Sequence, residues 1–520
     1  MASFHEVIGH IRATSESEAQ KGRLFERLMK TYFEQDPLYQ DRFARVSLWS
    51  DWAAAQHGFD SADIGVDLVA EERTGGYCAV QCKCYAPGTR ISKGHLDSFI
   101  SASARDPFTS RMVVDTGDEW GPNARRTLDR VKPECSVLRF GDLLGRPFDW
   151  PDLSRHEPEA LAYRRDPYHL RPHQQAAFDD VIREFAAHDR GKLVMACGTG
   201  KTFTALRIAE RIAGVGGRAL YLVPSISLFQ QSMREWAEQR AVPHRYVGIC
   251  SDTRAGRTDE DASLHELEIP VTTDPAAISQ ALRAAPSEAM TVVFCTYQSL
   301  GLVEQAQDDG APPFDLVLCD EAHRTTGVER PGDRTSPFVL VHDGARIRAG
   351  KRLYMTATPR LYTEGAKAKA ASHAVEVFSM DDPTTYGPQF HRLPFSRAVG
   401  QDLLSDYKVV VLAMSEDHVA AALQAHLATK EGSEINLDDA ARIVGCWRAL
   451  QNPENLDPAT EKVRPLRRAI AFTNTIRSSQ RLEAHWPGLV EQAVARLPLA
   501  ERETARTPIS VVSRDLPKFT

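Results

Sequence analysis

Short apolar runs separated by amphipathic segments recur along most of the chain. From Tyr168 onwards, the runs KLVMAC, ALYLVP, MTVVFCTY, FDLVLCDE and KRLYMTAT alternate with stretches whose apolar residues follow helical spacing. Strands that alternate with helices are typical of βαβ units, whose strands form a parallel sheet. We therefore predict an α/β domain over residues 168–378.

A second α/β pattern precedes this domain. The helical run KGRLFERLMKTYF is followed by the strand-like runs GVDLVAEE, YCAVQCKCY, RMVVDT and CSVLRF, which predicts a separate domain over residues 1–145. Residues 146–167 are rich in proline and charge and are predicted to be a linker. Further strand-like runs, YKVVVLAM and RRAIAFTN, predict that residues 379–520 begin a third domain.

Composition narrows the class of protein. The 520 residues suffice for about three domains of roughly 150 residues each. The net charge of −7 means that nucleic acid would be bound by a local basic groove, since the whole chain is not basic. No apolar run reaches membrane-spanning length, and the N-terminus lacks the apolar core of a signal peptide. With nine scattered cysteines, these features predict a cytoplasmic protein without a membrane partner.

Three of the cysteines, Cys78, Cys82 and Cys84, are close together in the sequence. Their spacing is not C-x-x-C, and no second pair follows. Cys82 and Cys84 would also lie on one face of a strand. Packing in a core is therefore favoured over the alternative, a metal or redox site.

The sequence KLVMACGTGKT predicts a phosphate-binding loop between a strand and a helix. Gly198 and Gly200 would let backbone N–H groups close around phosphate oxygens, Lys201 would neutralise the β- and γ-phosphates, and Thr202 would bind Mg²⁺. The full pattern has glycine where this chain has Met195. The loop residues predicted to bind ATP are Gly198, Thr199, Gly200, Lys201 and Thr202.

The sequence FDLVLCDEAH places two adjacent carboxylates at the end of an apolar strand, where ligands bind in open α/β sheets. Asp320 would hold Mg²⁺, usually through water, and Glu321 would polarise the attacking water. Both roles follow from phosphoryl transfer, in which positioning and charge neutralisation provide most of the catalysis.

The segments LRPHQ, CGTGKT, LVPSISL, CTYQS, DEAH and YMTATPR resemble motifs of superfamily 2 helicases, in the family's order. The resemblance implies a RecA-like P-loop domain in which Gln174 reads adenine and His323 belongs to the ATP site. It places four residues near the nucleic-acid backbone: Pro224, Ser225, Thr296 and Gln298. It also implies that Thr356 and Thr358 couple the ATP site to strand binding.

The segment AIAFTNT, from Ala469, resembles the motif that opens a second RecA-like domain. The later motifs, which include the arginines that reach the γ-phosphate, are not found before Thr520. We therefore expect an incomplete second RecA-like domain and a longer parent protein.

The N-terminal domain carries residues suited to metal-assisted phosphodiester hydrolysis. Gln81 and Lys83 are two residues apart in a strand and so share one face. Asp67 starts the preceding strand, and Glu26 lies on the amphipathic helix upstream. We predict that Asp67 and Glu26 hold Mg²⁺ with help from Gln81, and that Lys83 stabilises developing charge or orients the nucleophilic water. Asp63 is the alternative metal carboxylate.

These residues resemble the Mrr-like branch of the PD-(D/E)xK nucleases, with its pattern GxD…QxK, over about a hundred residues. A nuclease of this kind in front of a superfamily 2 motor resembles the single-polypeptide type ISP restriction–modification enzymes. That resemblance implies ATP-dependent movement on double-stranded DNA and cleavage when two motor complexes meet. It also implies methyltransferase and target-recognition domains that use S-adenosylmethionine.

Two other functions stay open at this point. The chain could be the motor and nuclease subunit of a multi-subunit type I or type III restriction enzyme. It could also be a DNA-sensing defence or repair ATPase whose nuclease fold binds DNA without cutting it. A Mg²⁺-dependent cleavage assay separates the second alternative from the others.

Overall fold

The structure, a computed structural model, describes residues 2–406 except 57–58, 60–64, 118, 129–130, 165, 252–266, 330–335, 366–367 and 369–375, together with Trp486. The chain forms two compact units. The first comprises residues 1–254 and 261–405, and the second comprises residues 255–260 and 406–520. Every element below belongs to the first unit, where two large sheets with surrounding helices give the predicted α/β class.

The N-terminal part is built on a five-stranded mixed sheet of order β1-β2-β3-β4-β5. The pairs β1/β2 and β2/β3 are antiparallel, and β3/β4 and β4/β5 are parallel. The strands are β1 Phe43–Leu48, β2 Leu68–Glu72, β3 Tyr77–Lys83, β4 Phe108–Asp115 and β5 Cys135–Arg139. The helices are α1 Phe4–Thr14, α2 Glu18–Gln35, α3 Pro37–Arg42, α4 Trp49–Ala55, α5 Asp97–Ala102, α6 Pro122–Leu128 and α7 Phe140–Leu143.

Strand β3 is buried on both faces, which explains its nearly continuous apolar sequence. Val80 packs in one core with Phe25 of α2, whereas Ala79 packs in the opposite core with Phe99 of α5. The three clustered cysteines are buried and free of disulfides in the first of these cores: Cys78, Cys82 and Cys84. The structure thus agrees with packing as their role.

The segment predicted as a linker packs on the N-terminal domain. Phe148–Asp149 pairs antiparallel with Ala162–Tyr163, and the Trp150 ring lies 4.6 Å from that of Phe4. Arg27 of α2 forms ion pairs with two glutamates of the segment, Glu157 and Glu159. Residues 146–164 therefore extend the N-terminal domain, because their apolar side chains complete its core.

The motor part is built on an eight-stranded sheet of order β9-β8-β10-β7-β11-β12-β6-β13, in which every described pair is parallel. The strands are β6 Arg190–Met195, β7 Arg218–Val223, β8 His244–Ile249, β9 Val271–Thr272, β10 Met290–Thr296, β11 Phe314–Cys319, β12 Ala349–Thr356 and β13 Gln389–Leu393. The predicted parallel sheet is confirmed, and the carboxyl ends of its strands meet at one edge.

The helices of the motor part are α8 Pro172–Glu184, α9 Lys201–Ile212, α10 Ile226–Gln239, α11 Pro275–Arg283, α12 Leu300–Asp308, α13 Pro383–Tyr386 and α14 Phe395–Gly400. Their starts follow local sequence: Pro172 is in the first turn of α8, and the Ser225 hydroxyl accepts a hydrogen bond from Leu228 N to cap α10. Among the described helices, none is both long and apolar enough to cross a membrane.

The first motor domain extends further than predicted. Strand β13 pairs in parallel with β6, where Lys192 faces Gln389 and Met195 faces Leu393. Residues 379–405 therefore belong to the first compact unit, in contrast to the predicted start of a third domain at residue 379. A five-residue edge strand has no local signal that names its partner, which explains the difference. The segment AIAFTNT lies outside the described residues.

Candidate functional sites

The loop after β6 has the shape expected of a phosphate-binding loop. Gly198 and Gly200 have φ angles of 79° and 82°, a backbone conformation that favours glycine. Lys201 and Thr202 begin α9, so the helix N-terminus points at the loop. The Lys201 ammonium donates to the Met195 carbonyl at 3.3 Å. Met195 is buried at the end of β6, and it departs from the family pattern without disturbing the strand–loop–helix arrangement.

Gln174 contacts this loop from α8. Its Nε2 atom lies 3.3 Å from the Thr199 carbonyl, and its Oε1 accepts a hydrogen bond from Arg171 N at 2.9 Å. A Cβ atom at Gly200 would lie 2.1 Å from Gln174 Nε2, so a larger residue there would displace the Gln174 amide from this contact. Adenine reading by Gln174 stays a prediction. What the structure adds is a contact between its amide and the phosphate-binding loop.

Asp320 and Glu321 follow β11 at the same edge of the sheet. Asp320 is buried, and its carboxylate accepts hydrogen bonds from Tyr221 OH at 3.2 Å and from Glu321 N at 2.9 Å. The pKa of Asp320 is raised to about 6, mainly because the carboxyl group is buried and, to a smaller extent, because of the charge of Glu321. The Lys201 ammonium opposes this rise. A bound cation would favour the ionised carboxylate.

Glu321 has a strained backbone, with φ 47° and ψ 46°. This left-handed conformation costs about 1–3 kcal/mol in a residue other than glycine, and such strain is concentrated at functional sites. The Glu321 carboxylate lies 3.2 Å from His323 Nδ1. The same nitrogen of the His323 ring lies 3.1 Å from Thr356 Oγ1. Thr356 Oγ1 also accepts from Thr358 N at 3.1 Å. A continuous chain of polar contacts thus joins Glu321 to both predicted coupling threonines.

The four residues predicted near nucleic acid lie at or just beyond the carboxyl ends of β7 and β10. Pro224 is buried, and Ser225 caps α10. Thr296 is buried with its hydroxyl 2.9 Å from Ser299 Oγ, whereas Gln298 is exposed. Neighbouring strands β7 and β10 bring them to one edge, and their contact with DNA stays a prediction.

The N-terminal domain contains an open cavity of about 520 Å³ lined by Glu26, Asp67 and Lys83. Asp67 directly precedes β2, and its Oδ2 accepts a hydrogen bond from Cys82 N at 2.7 Å. The pKa of the Cys82 thiol is raised mainly by burial and, to a smaller extent, by the charges of Asp67 and Glu26. Both carboxylates therefore lie near this thiol. The structure therefore brings together three of the four predicted nuclease residues, although they are far apart in sequence.

Gln81, the fourth, is fully buried and is not among the residues that line the cavity. Its Nε2 donates to the Gly65 carbonyl at 3.0 Å, while its Oε1 is buried without a hydrogen-bond partner. It stays a prediction that Gln81 contacts the metal ion directly and that it assists the carboxylates that hold the metal. The alternative carboxylate Asp63 lies outside the described residues.

The donor atoms at both sites fit a hard divalent cation. The nuclease cavity offers two carboxylates, and Gln81, which directly precedes the lining residue Cys82, has a buried amide oxygen without a hydrogen-bond partner. In the part of the chain that the structure describes, no group of three or more His, Cys, Asp or Glu side chains could hold a metal by itself. One or two carboxylates with water are the usual ligands of Mg²⁺. Asp320 and the Thr202 hydroxyl offer the same chemistry beside the phosphate-binding loop.

Arg12 and Thr116, which no motif indicated, hold the strand end that carries Lys83. Arg12 of α1 donates to the carbonyl of Tyr85 and to Thr116 Oγ1. Thr116 N donates to the Lys83 carbonyl at 3.0 Å, and Thr116 Oγ1 donates to the Tyr85 carbonyl at 3.0 Å. No sequence motif could indicate this contact, because Arg12 and Tyr85 are 73 positions apart in the chain.

We expect Arg12→Met to slow DNA cleavage about tenfold or more in the full protein, with ATP turnover unchanged. A hydrogen bond from a charged group contributes about 1.5–3 kcal/mol, so its loss should let Lys83 drift from the cavity. Arg12→Lys should restore part of the rate. Cleavage kcat and KM should be compared with those of Arg155→Met, a change at an exposed arginine of the same domain. An unchanged kcat in Arg12→Met would contradict this role.

Two family models match separate parts of the chain. Residues 34–160 match a restriction endonuclease family, Mrr_cat_2, and residues 167–361 match the family of the type III restriction enzyme res subunit. Glu26 lies before the first matched range and reaches the cavity through α2.

Proteins with longer chains are also similar to this one. The chain is similar in structure to the ATP-dependent Type ISP restriction-modification enzyme LlaBIII bound to DNA, with TM-score 0.78 and 34% identity over 95% of this chain and 31% of that one. It matches a nuclease-deletion mutant of the Type ISP enzyme LlaGI in complex with a DNA substrate mimic, with TM-score 0.44 and 32% identity over 62% of this chain and 22% of that one. It is 33% identical to Probable helicase A859L of African swine fever virus over 37% of this chain and 20% of that protein. The chain spans less than a third of each relative.

Proposed function

We propose that this chain, which joins an Mrr-type restriction endonuclease domain to a helicase domain of the type III res-subunit kind, is the nuclease and motor part of an ATP-dependent double-stranded DNA translocase that cleaves foreign DNA. The observation that carries the proposal is that one compact unit contains both a phosphate-binding type of loop before α9 and a cavity lined by two carboxylates and a lysine. The likeness to LlaBIII supports a type ISP restriction–modification system, acting in the cytoplasm, as the setting.

In the motor site, Lys201 offsets the charge of the β- and γ-phosphates, and Glu321 orients the attacking water. Thr202 and Asp320 would hold Mg²⁺, which supplies charge neutralisation at the phosphates when it is bound. Gln174 would contact adenine, and its side-chain amide would also contact the phosphate-binding loop at the Thr199 carbonyl. His323 contacts both Glu321 and Thr356. A change at Glu321 during ATP hydrolysis could therefore alter the position of Thr356, which is predicted to couple the ATP site to DNA binding.

In the nuclease site, Asp67 and Glu26 would hold Mg²⁺, and Gln81 would assist through its amide oxygen, which has no hydrogen-bond partner. The ion would activate water and neutralise charge at the scissile phosphate. Lys83 stabilises the charge that develops on the phosphate oxygens or orients the water. Arg12 and Thr116 keep the end of β3 in place for this step.

We propose that the motor translocates along double-stranded DNA and that the nuclease cleaves the same DNA. Four residues would follow its backbone: Pro224, Ser225, Thr296 and Gln298. Because the relatives are much longer, we propose that the parent protein also carries methyltransferase and target-recognition domains that use S-adenosylmethionine. Cleavage would occur when a second motor complex is met on the same DNA.

The proposal is tested with the full protein on plasmid DNA carrying its recognition sites. We expect double-strand cleavage with Mg²⁺ and ATP, and none with a non-hydrolysable ATP analogue or after metal chelation. Efficient cleavage without ATP would contradict the coupling of nuclease to motor. DNA-stimulated ATP turnover without any cleavage would favour the alternative of a nuclease fold that only binds DNA.

A further inference from the structure

The nuclease part and the motor part share a buried surface centred on α3. Leu38 of α3 is fully buried and belongs to the apolar core of the motor, together with Phe229 and Met233 of α10. A nuclease residue thus completes the core of the other domain. Burial of this kind is typical of permanent contacts rather than of surfaces that separate during a working cycle.

Charged groups surround this apolar contact and are themselves buried. Asp36, at the start of α3, accepts two hydrogen bonds from Arg234 of α10, at 2.6 and 2.7 Å. Glu268 accepts from Arg146 at 2.7 Å and from Tyr39 OH at 3.1 Å, and it also pairs with Arg234. Asp36 and Glu268 are each 1% exposed. Glu268 of the motor is therefore the point where arginines from both domains meet.

Arg42, at the end of α3, ties this cluster to the nuclease sheet. It donates to the main-chain carbonyl of Glu268 at 3.0 Å. On the nuclease side it donates to Glu72 at 2.8 Å and to Ser110 at 2.9 Å. Glu72 ends β2, and β2 begins directly after Asp67. Strand β2 therefore runs from the buried surface between the two domains to the nuclease cavity.

On the motor side, the helix that carries Arg234 also contacts the ATP-binding loop. Trp236 of α10 donates through Nε1 to the Thr202 carbonyl at 3.1 Å. Trp236 and Arg234 are both buried, so α10 is fixed between the loop and the nuclease. The two predicted catalytic sites are therefore connected by packed and hydrogen-bonded elements throughout.

We propose that the Glu268 cluster, defined as Asp36, Arg42, Arg146, Arg234 and Glu268, holds the nuclease permanently on the first motor domain. Separation would expose Leu38 and the apolar motor side chains around it to water, and it would break the hydrogen bonds and ion pairs of the cluster, so it is unfavourable. The nuclease cavity then moves as one body with the ATP-binding loop. Resting on the proposed function, this docking is what couples cleavage to movement along DNA.

The test is Glu268→Gln in the full protein. Glutamine keeps the shape but removes the negative charge that Arg146 and Arg234 share. Hydrogen exchange should become at least tenfold faster for the amides of α3 and α10. Plasmid cleavage should fall at least tenfold, while DNA-stimulated ATP turnover stays within twofold of wild type. Glu304→Gln, which breaks the Glu304–Arg346 ion pair within the motor, is the matched control and should change none of these.

Three outcomes overturn the proposal. Unchanged exchange would show that Glu268 does not hold the domains together. Faster exchange with normal cleavage would show that docking does not couple the sites. Parallel loss of ATP turnover would assign the cluster to the fold of the motor alone.

A milder variant covers the case in which Glu268→Gln does not fold. Arg240→Gln removes the 2.9 Å contact with Asp41 at the edge of the same surface. It should change exchange and cleavage two- to fivefold in the same directions, and no change in either would overturn the proposal. If the wild-type protein cuts no DNA, the proposed function fails, while hydrogen exchange still decides whether the domains are docked.

Discussion

Replacing Lys201 by alanine or Glu321 by glutamine should abolish ATP turnover in the full protein. Lys201 supplies positive charge beside the phosphates at the start of α9, and its loss leaves the negative charge of the transition state without its partner. Glu321→Gln keeps the side-chain volume but removes the carboxylate that orients water. Single groups of this kind are worth roughly a thousandfold in rate or more. Translocation should stop with turnover.

The two variants should differ in nucleotide binding, which makes the test more specific. Lys201→Ala should weaken binding, whereas Glu321→Gln should bind ATP nearly as wild type does. The measurements are DNA-stimulated phosphate release and equilibrium binding of a fluorescent nucleotide. Glu288→Gln, at an exposed glutamate of the same domain, is the control and should behave as wild type. Normal DNA-stimulated turnover in either site variant would refute the motor assignment.

Replacing Asp67 or Lys83 by alanine should eliminate DNA cleavage and leave ATP turnover and translocation nearly intact. Asp67 contributes a carboxylate to the cavity and accepts a hydrogen bond from Cys82 N, so its loss removes a predicted metal ligand. Lys83 acts on developing charge, and its loss should lower the rate more than the metal affinity. Lys201→Ala should also lose cleavage, because its motor cannot move the nuclease.

Plasmid cleavage with and without ATP, for wild type and these three variants, is the decisive measurement. Asp97→Ala removes an exposed carboxylate of the same domain and should cut as wild type does. Undiminished cutting by Asp67→Ala would move the metal to Asp63 or place the nuclease elsewhere. Loss of ATP turnover in Asp67→Ala would instead show that the two sites are not separable by mutation.

The sequence by itself predicted which chemical groups make up the motor site. Its groups occur in short contiguous segments, such as CGTGKT and DEAH, and each segment joins an apolar strand to a turn. In a parallel sheet such turns all reach the same edge, so the order of the segments predicted that they meet there. The structure confirms the α/β class and this parallel sheet.

The nuclease site was predicted in part for the same reason. The GVDL segment leads into β2 and the QCKCY segment ends β3, and these strands are adjacent, so Asp67 and Lys83 could be paired from sequence. The alternation of β3 predicted that Gln81 and Lys83 share a face, but only Lys83 lines the cavity. Gln81 is covered because both faces of β3 are packed, and burial by a second layer cannot be read from a strand's own alternation.

Only the tertiary structure decided which distant segments complete each domain. It placed Arg12 behind the strand of Lys83, packed residues 146–164 on the nuclease core, and added β13 to the motor sheet beyond the predicted boundary. It also brought Asp36 against Arg234, two buried charges 198 residues apart. These contacts depend on how whole elements pack against each other. Residues that meet through such packing carry no fixed spacing along the chain, so no local pattern could predict them.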